Sequence, residues 1–185
     1  MANKARLEEL YRNEIRSQLK KDLGYENIME VPSLSKIVIN VGVKEAVSDS
    51  RILKKVSDII AQIAGQMPVR TKAKKSIAGF KIREGMPLGV MVTLRRKRMY
   101  EFLDRLISLA LPKVKDFQGL KDRFDGQGNY NFGVKEWSIF PEVERASEEM
   151  LGGLNITFHT TATKDEEALS LLKKFGMPFR HSKSN

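Results

Sequence analysis

Apolar and polar positions along this chain alternate between two periods. Over residues 4–23, Leu7, Leu10, Tyr11, Ile15, Leu19 and Leu23 recur at three- and four-residue spacing, which predicts an amphipathic helix ended by Gly24. After Val31-Pro32 the period drops to two. Over residues 34–43, Ile37, Ile39, Val41 and Val43 share one face of a strand, and Lys36, Val38, Asn40 and Gly42 share the other. The first face is read as core. The second is polar at its far end, and Gly42 there admits close approach of another backbone. Ser48, Asp49 and Ser50 are N-cap candidates for a helix running to about Ala64, with Ile52, Leu53, Val56, Ile59, Ile60 and Ile63 as its stripe and Gly65 as its stop. Neither period survives from residue 71 to residue 80, so a long loop is expected there. Pro87 opens a strand over residues 88–95, with Leu88, Val90, Val92 and Leu94 inward and Gly89, Met91, Thr93 and Arg95 outward.

A helix over residues 96–111 turns Met99, Phe102, Leu103, Leu106, Ile107 and Ala110 inward and ends at Pro112. Residues 113–133 are irregular and turn-rich and are expected to form a second projecting loop. A short strand over 134–140, an acidic connection over 141–153 and a strand over 154–162 follow. Thr163 with Glu166 reads as a capping box opening a last helix, which carries Ala168, Leu169, Leu171, Leu172 and Phe175 and closes at Gly176. The basic tail from residue 177 is expected to fray at its end. At 185 residues the chain predicts a single domain, 1–185, with loops 71–87 and 113–133 projecting.

Charge changes this picture. The net charge is +10, and residues 70–98 alone contain ten basic residues and one acid, Glu84. The excess therefore sits in one block, which attracts a polyanion rather than merely keeping the protein soluble. Ile77, Gly79 and Phe80 are interleaved with the lysines, which suits insertion between phosphates and stacking surfaces. Nucleic acid is the first partner class; an acidic enzyme substrate and an anionic membrane surface rank behind it.

Catalytic chemistry finds no residues to stand on. Cysteine is absent, which removes disulfides, thiol catalysis and cysteine-based zinc sites and fits a reducing, cytoplasmic setting. The two histidines, His159 and His181, have no carboxylate at ligand spacing, so no metal and no cofactor is expected. The glycine-bounded stretch 79–85 lacks the Gly-Lys-Ser/Thr ending of a phosphate loop. Asp165, Glu166 and Glu167 oppose a helix dipole in a first turn. No apolar run approaches a membrane span, and the first residues have no signal-like apolar core.

Thr71 through Arg83, followed by Gly85, Pro87 and Gly89, resembles the signature of the bacterial large-subunit ribosomal protein five, the 5S rRNA-binding "L-five" family. The resemblance continues, in the family's order, through Lys36-Ile37, Asn40 to Val43, Gly65-Gln66 with Pro68, Thr93-Leu94-Arg95, Asp116-Phe117 with Gly119, Phe124-Asp125-Gly126, Gly128-Asn129-Tyr130 and Phe140-Pro141-Glu142. It implies an α+β fold, an antiparallel sheet with helices packed on one face and long projecting loops. It implies a structural constituent of the large subunit, ribosome-bound and not an enzyme, that binds 5S rRNA in the central protuberance beside 23S rRNA and other protuberance proteins. Carried onto matching positions, it nominates Asn40, Gly42, Gln66, Thr93, Arg95 and Arg96 for 5S rRNA. Lys74, Lys75, Ser76, Gly79, Phe80, Lys81 and Arg83 would form a loop touching the backbone of peptidyl-site tRNA. Trp137, Glu142 and Arg145 would belong to a bridge to small-subunit protein thirteen. Asn40, Gly42, Thr93 and Arg95 also follow from strand alternation alone. The other function class left open is a free RNA-binding regulator or RNA chaperone on a similar sheet.

Overall fold

The computed structural model describes residues 5–47, 49–143 and 152–180. Among them, strands β1 (Leu34–Gly42), β2 (Val69–Lys72), β3 (Pro87–Leu94), β4 (Tyr130–Val134) and β5 (Leu154–Thr160) form an antiparallel sheet in the order β2-β3-β1-β5-β4. Helix α1 is built from Arg6–Leu10, a wider π-type turn Tyr11–Ile15 and Arg16–Asp22. Helix α2 is Ser50–Ala64; α3 is Arg96–Arg105, continued by a π-type turn Leu106–Ala110; α4 is Asp165–Lys174. The mixed α+β class matches the expectation. The chain divides into two compact units, Val38–Leu94 with Gly133–Ile156, and Met1–Ile37 with Arg95–Phe132 and Thr157–Asn185.

In the first of these units, Asp49 caps α2 by accepting the Arg51 N–H at 2.8 Å, and Gly65 closes the helix at φ 64°. Leu53, Val56, Ile59, Ile60 and Ile63 are buried, and α2 packs against β3, where Val90, Val92 and Leu94 are buried. Each such side chain contributes about 1.5–3 kcal/mol of burial. The expected loop 71–87 is shorter than its sequence suggested. Val69–Lys72 is a strand paired antiparallel to β3, with Val69 opposite Met91, Arg70 opposite Val90 and Thr71 opposite Gly89. As an edge strand it buries almost nothing, so no apolar period was needed to hold it; the backbone ladder does. Gly89 is required by this pairing. A Cβ there would lie 2.7 Å from Thr71 Oγ1 and 2.7 Å from the Val41 carbonyl oxygen. The strand expected over 134–140 ends at Val134, and Trp137–Ile139 forms a 3-10 turn instead. Trp137 is buried at 3% exposure, its backbone N–H donates to Gly152 O at 3.2 Å, and a Cβ on Gly152 would collide with its ring.

In the other unit, Leu7, Tyr11, Ile15 and Leu19 form the buried stripe of α1. The Tyr11 ring stacks on Phe175 at 5.9 Å, Arg6 Nε donates to Asp104 at 3.0 Å, and Lys174 pairs with Asp22 at 2.8 Å. The expected loop 113–133 gives up its last residues to β4, which begins at Tyr130. Tyr130 is buried among Phe124, Phe158 and Phe179, and its hydroxyl donates to Lys121 O at 2.7 Å. The turn before it is tied down by two carboxylates. Asp125 accepts the N–H groups of Gln127 and Asn129, each at 2.9 Å, and Asp165 accepts those of Gly126 at 3.1 Å and Gly128 at 2.9 Å. This corrects the capping box: the cap of α4 is Lys164, with no side-chain hydrogen bond, and the Thr163 N–H goes to Glu167 at 3.3 Å. Asp165 therefore anchors the 125–129 turn as well as opposing a helix dipole. The beginning of the tail is also tied, through Leu120 N–H to Pro178 O and Arg180 N–H to Leu120 O, both 2.8 Å.

Candidate nucleic-acid interface

Strand alternation in the Val38–Leu94 unit puts Asn40 and Gly42 on the solvent side of β1 and leaves Thr93 half-buried on β3. Gln66 joins them because the left-handed turn at Gly65 reverses the chain after α2, and its Nε2 donates to the Thr93 carbonyl at 3.3 Å. The structure thus brings together Gln66 and Thr93, which lie far apart in sequence. At Gly42 no atom lies within 4 Å of where a Cβ would stand, so this stretch of backbone is open to an approaching partner. Sequence reasoning missed the margin of this face. Val69 and Met91, directly opposite one another, are exposed, as is Met67. The face is therefore not wholly polar but has an apolar border: Met91 of β3, already read as outward, is extended by Val69, whose place was invisible until β2 itself was known.

The basic loop is a folded hairpin. Backbone bonds close its base, Ala73 N–H to Met86 O at 2.8 Å and Gly85 N–H to Ala73 O at 3.0 Å. Its tip is closed by Ile77 N–H to Ile82 O at 2.9 Å and the reverse bond at 3.1 Å. Ser76 Oγ accepts the Glu84 N–H at 2.9 Å, so this nominated residue also closes the hairpin. The tip turns through Ala78–Phe80 and Lys81, whose φ is 56°. Lys74, Lys75, Ser76, Gly79, Phe80, Lys81 and Arg83 are all exposed; Phe80 is 69% exposed despite being aromatic. A hydrogen-bonded stem thus presents an aromatic ring and four cations to solvent, which suits backbone phosphates and a stacking surface.

In the other unit, Arg95 is exposed and stands close enough to His159, with Lys36, to bear on its titration. Burial first, then Lys36 and Arg95 against an opposing Asp125, push the His159 imidazole below its ordinary range. Thr157 Oγ1 donates to Asn131 Oδ1 at 3.2 Å on the neighbouring strand. Arg96 is placed elsewhere: its backbone is left-handed at φ 52° and it lines a cavity with α1 residues. Of the three bridge nominees, Glu142 is exposed in the turn Pro141–Val143 and Arg145 lies outside the described residues. Trp137 is a correction, because burial against Gly152 makes it a support of this region rather than a surface contact. Among the described residues no three His, Asp or Glu side chains gather as a metal site, and no helix is long and apolar enough to cross a membrane.

Comparison with known proteins identifies the family. The family model of ribosomal protein L5 matches residues 27–83, and the model of the C-terminal part of that ribosomal family matches residues 87–179. The large ribosomal subunit protein uL5 of Geobacter sulfurreducens is 58% identical over 178 residues, covering 96% of this chain and 99% of that protein. Proteins of the same name from Geotalea uraniireducens and Ralstonia nicotianae are 57% and 54% identical over the same shares of each chain. The chain belongs to the ribosomal protein L5 family, a family of structural large-subunit proteins rather than of enzymes.

Proposed function

We propose that this protein is a structural constituent of the large ribosomal subunit that binds 5S rRNA through the solvent side of β1 and β3. Asn40, Gly42, Gln66 and Thr93 make these contacts, and the assignment extends by resemblance to Arg95. The observation that carries it is the open, polar stretch at Asn40 and Gly42, together with a Gln66 side chain anchored on Thr93. Folded RNA hides its bases in a deep major groove, so such a face reads shape, 2′-hydroxyls and phosphates. The hairpin over residues 73–86 contacts the backbone of peptidyl-site tRNA, without regard to its sequence, through Lys74, Lys75, Lys81 and Arg83. The turn bearing Glu142 bridges to protein thirteen of the small-subunit head. 23S rRNA and other proteins of the central protuberance are its remaining neighbours.

The test is binding of the purified protein to 5S rRNA and to an unrelated folded RNA of similar size across a salt series. With about six to eight phosphates engaged, the log–log salt slope is about −4 to −7. A preference for 5S rRNA that persists as salt rises supports the reading. Asn40→Ala with Thr93→Ala should weaken 5S binding with the fold intact. Equal affinities for the two RNAs, falling together with salt, would leave only a polyanion trap and favour a free RNA-binding chaperone.

A further inference from the structure

A cavity of about 870 Å³ lies within the unit containing α1 and α3, on the side where α1 faces the turn before β1. Three arginines line it, Arg12 and Arg16 from α1 and Arg96 from the start of α3, against one carboxylate, Glu8, which pairs with Arg12 at 2.8 Å. Arg16 is held in place, its Nε donating to Ile28 O at 3.2 Å. Arg96 has no hydrogen-bond or ion-pair partner among the described residues. Apart from Ser33 and Ser35, the remaining walls are apolar or aromatic. Tyr11 and Tyr100 are buried, Met99 is buried, and Met29 stands at the rim at 77% exposure. Burial holds the Tyr100 phenol far from ionisation, pushed up to about 12, so the net charge of the lining is positive.

Arg96 is also one of three non-glycine residues, among those described, with a left-handed backbone, at φ 52°. Such a backbone is disfavoured for a side chain and persists where the site demands the residue. A positively charged cavity with one tethered guanidinium, Arg16, one guanidinium unpartnered among the described residues, Arg96, and aromatic and thioether walls matches the two halves of a nucleotide, a phosphate and a flat base.

We propose that this cavity takes one extruded nucleotide of a single-stranded RNA segment, with its phosphate on Arg16 and Arg96 and its base against Met29 and the tyrosine wall. The inference rests on the RNA-binding reading but not on the 5S contacts at Asn40 and Thr93, and it gives Arg96 a role apart from that face.

The experiment titrates the full chain, labelled with 13C at its methionine methyls, with a ten-nucleotide single-stranded RNA, with AMP and with inorganic phosphate. Saturable shifts of Met29 and Met99 by the RNA, at lower concentration than by AMP or phosphate, support the proposal. Shifts confined to Met67 and Met91 would overturn it, since the RNA would then meet only the margin of the sheet. Equal response to AMP or phosphate would overturn the assignment to RNA and leave a site for a free anion. Arg96→Gly suits the left-handed backbone and should melt as the parent does, yet bind the ten-mer about tenfold more weakly, the loss expected for one charged hydrogen bond. Unchanged affinity in that variant would also overturn the proposal. The 5S reading fails separately, through an Asn40→Ala/Thr93→Ala variant with undiminished 5S binding.

Discussion

Replacing Gly89 by alanine tests the packing that holds β2 to the sheet. The new methyl would lie 2.7 Å from Thr71 Oγ1 on one side and 2.7 Å from the Val41 carbonyl oxygen on the other. The threonine can rotate, since it sits on an edge strand. The carbonyl cannot, because β1 is an interior strand of the sheet. β3 must therefore shift by a few tenths of an ångström. Overpacking of this kind costs about 1–3 kcal/mol, offset by about 0.4–1 kcal/mol from the smaller entropy of an unfolded alanine. The net expectation is a loss of about 1–2 kcal/mol, a melting point lower by roughly 2–8 °C for a chain of this size. The assay is built into the protein. Its single tryptophan, Trp137, is buried in the same unit, and its fluorescence reports that unit's unfolding. Thr71→Ala removes one of the two contacts, so the Thr71→Ala/Gly89→Ala double variant should lose less than the sum of the singles. Gly42→Ala is the control: with nothing within 4 Å of its Cβ it should melt at or slightly above the parent. A Gly89→Ala protein that melts with the parent, or above it, would refute the close approach of β2, β3 and β1 at this point.

Three further outcomes follow from the same structure. The His159 ring, lowered by burial and by Lys36 and Arg95, should titrate below 6.5 in an NMR experiment. The unfolded chain then takes up the proton first on acidification, so stability falls from about pH 6.5 down to the folded pKa, and His159→Gln should remove that loss; a ring titrating above 6.5 would contradict the placement. Asp165→Ala leaves the Gly126 and Gly128 N–H groups without their acceptor, which should cost about 1–3 kcal/mol and speed hydrogen exchange at both amides, whereas unchanged exchange would mean that the turn holds itself. Neutralising Lys74, Lys75 and Lys81 together should spare 5S affinity and melting temperature, because all three side chains are exposed on a hairpin closed by its own backbone bonds, but impair translation; a large loss of 5S affinity would reassign the hairpin.

Much of the candidate surface was legible from residues alone. The outward positions Asn40, Gly42 and Thr93 follow from a period of two, and the structure leaves them off the core because the inward set, Ile37, Ile39, Val41, Val90, Val92 and Leu94, is buried. The concentration of charge located the hairpin without any structure. Its order was not legible, because the bonds that close it are backbone bonds between residues 73 and 86 and between 77 and 82, which no side-chain period encodes. Trp137 was misplaced for a related reason. Its burial depends on Gly152, which arrives from the far side of an acidic connection.

By itself the sequence determined the local periods, the helix stops at Gly65 and Gly176, the side of each long strand that faces the core, the position of the charge and the family. These properties depend on residues within one or two turns of each other, or on an ordered set of motifs. Only the tertiary structure decided that Val69–Lys72 is an edge strand, that β4 starts at Tyr130, that Asp165 anchors the 125–129 turn, and that Arg96 joins Arg12 and Arg16 around a cavity. Each of these depends on a partner distant in sequence. An edge strand that buries little, a carboxylate that reaches a remote amide and a cavity lined from several segments acquire their roles only when packing brings those partners within a few ångströms.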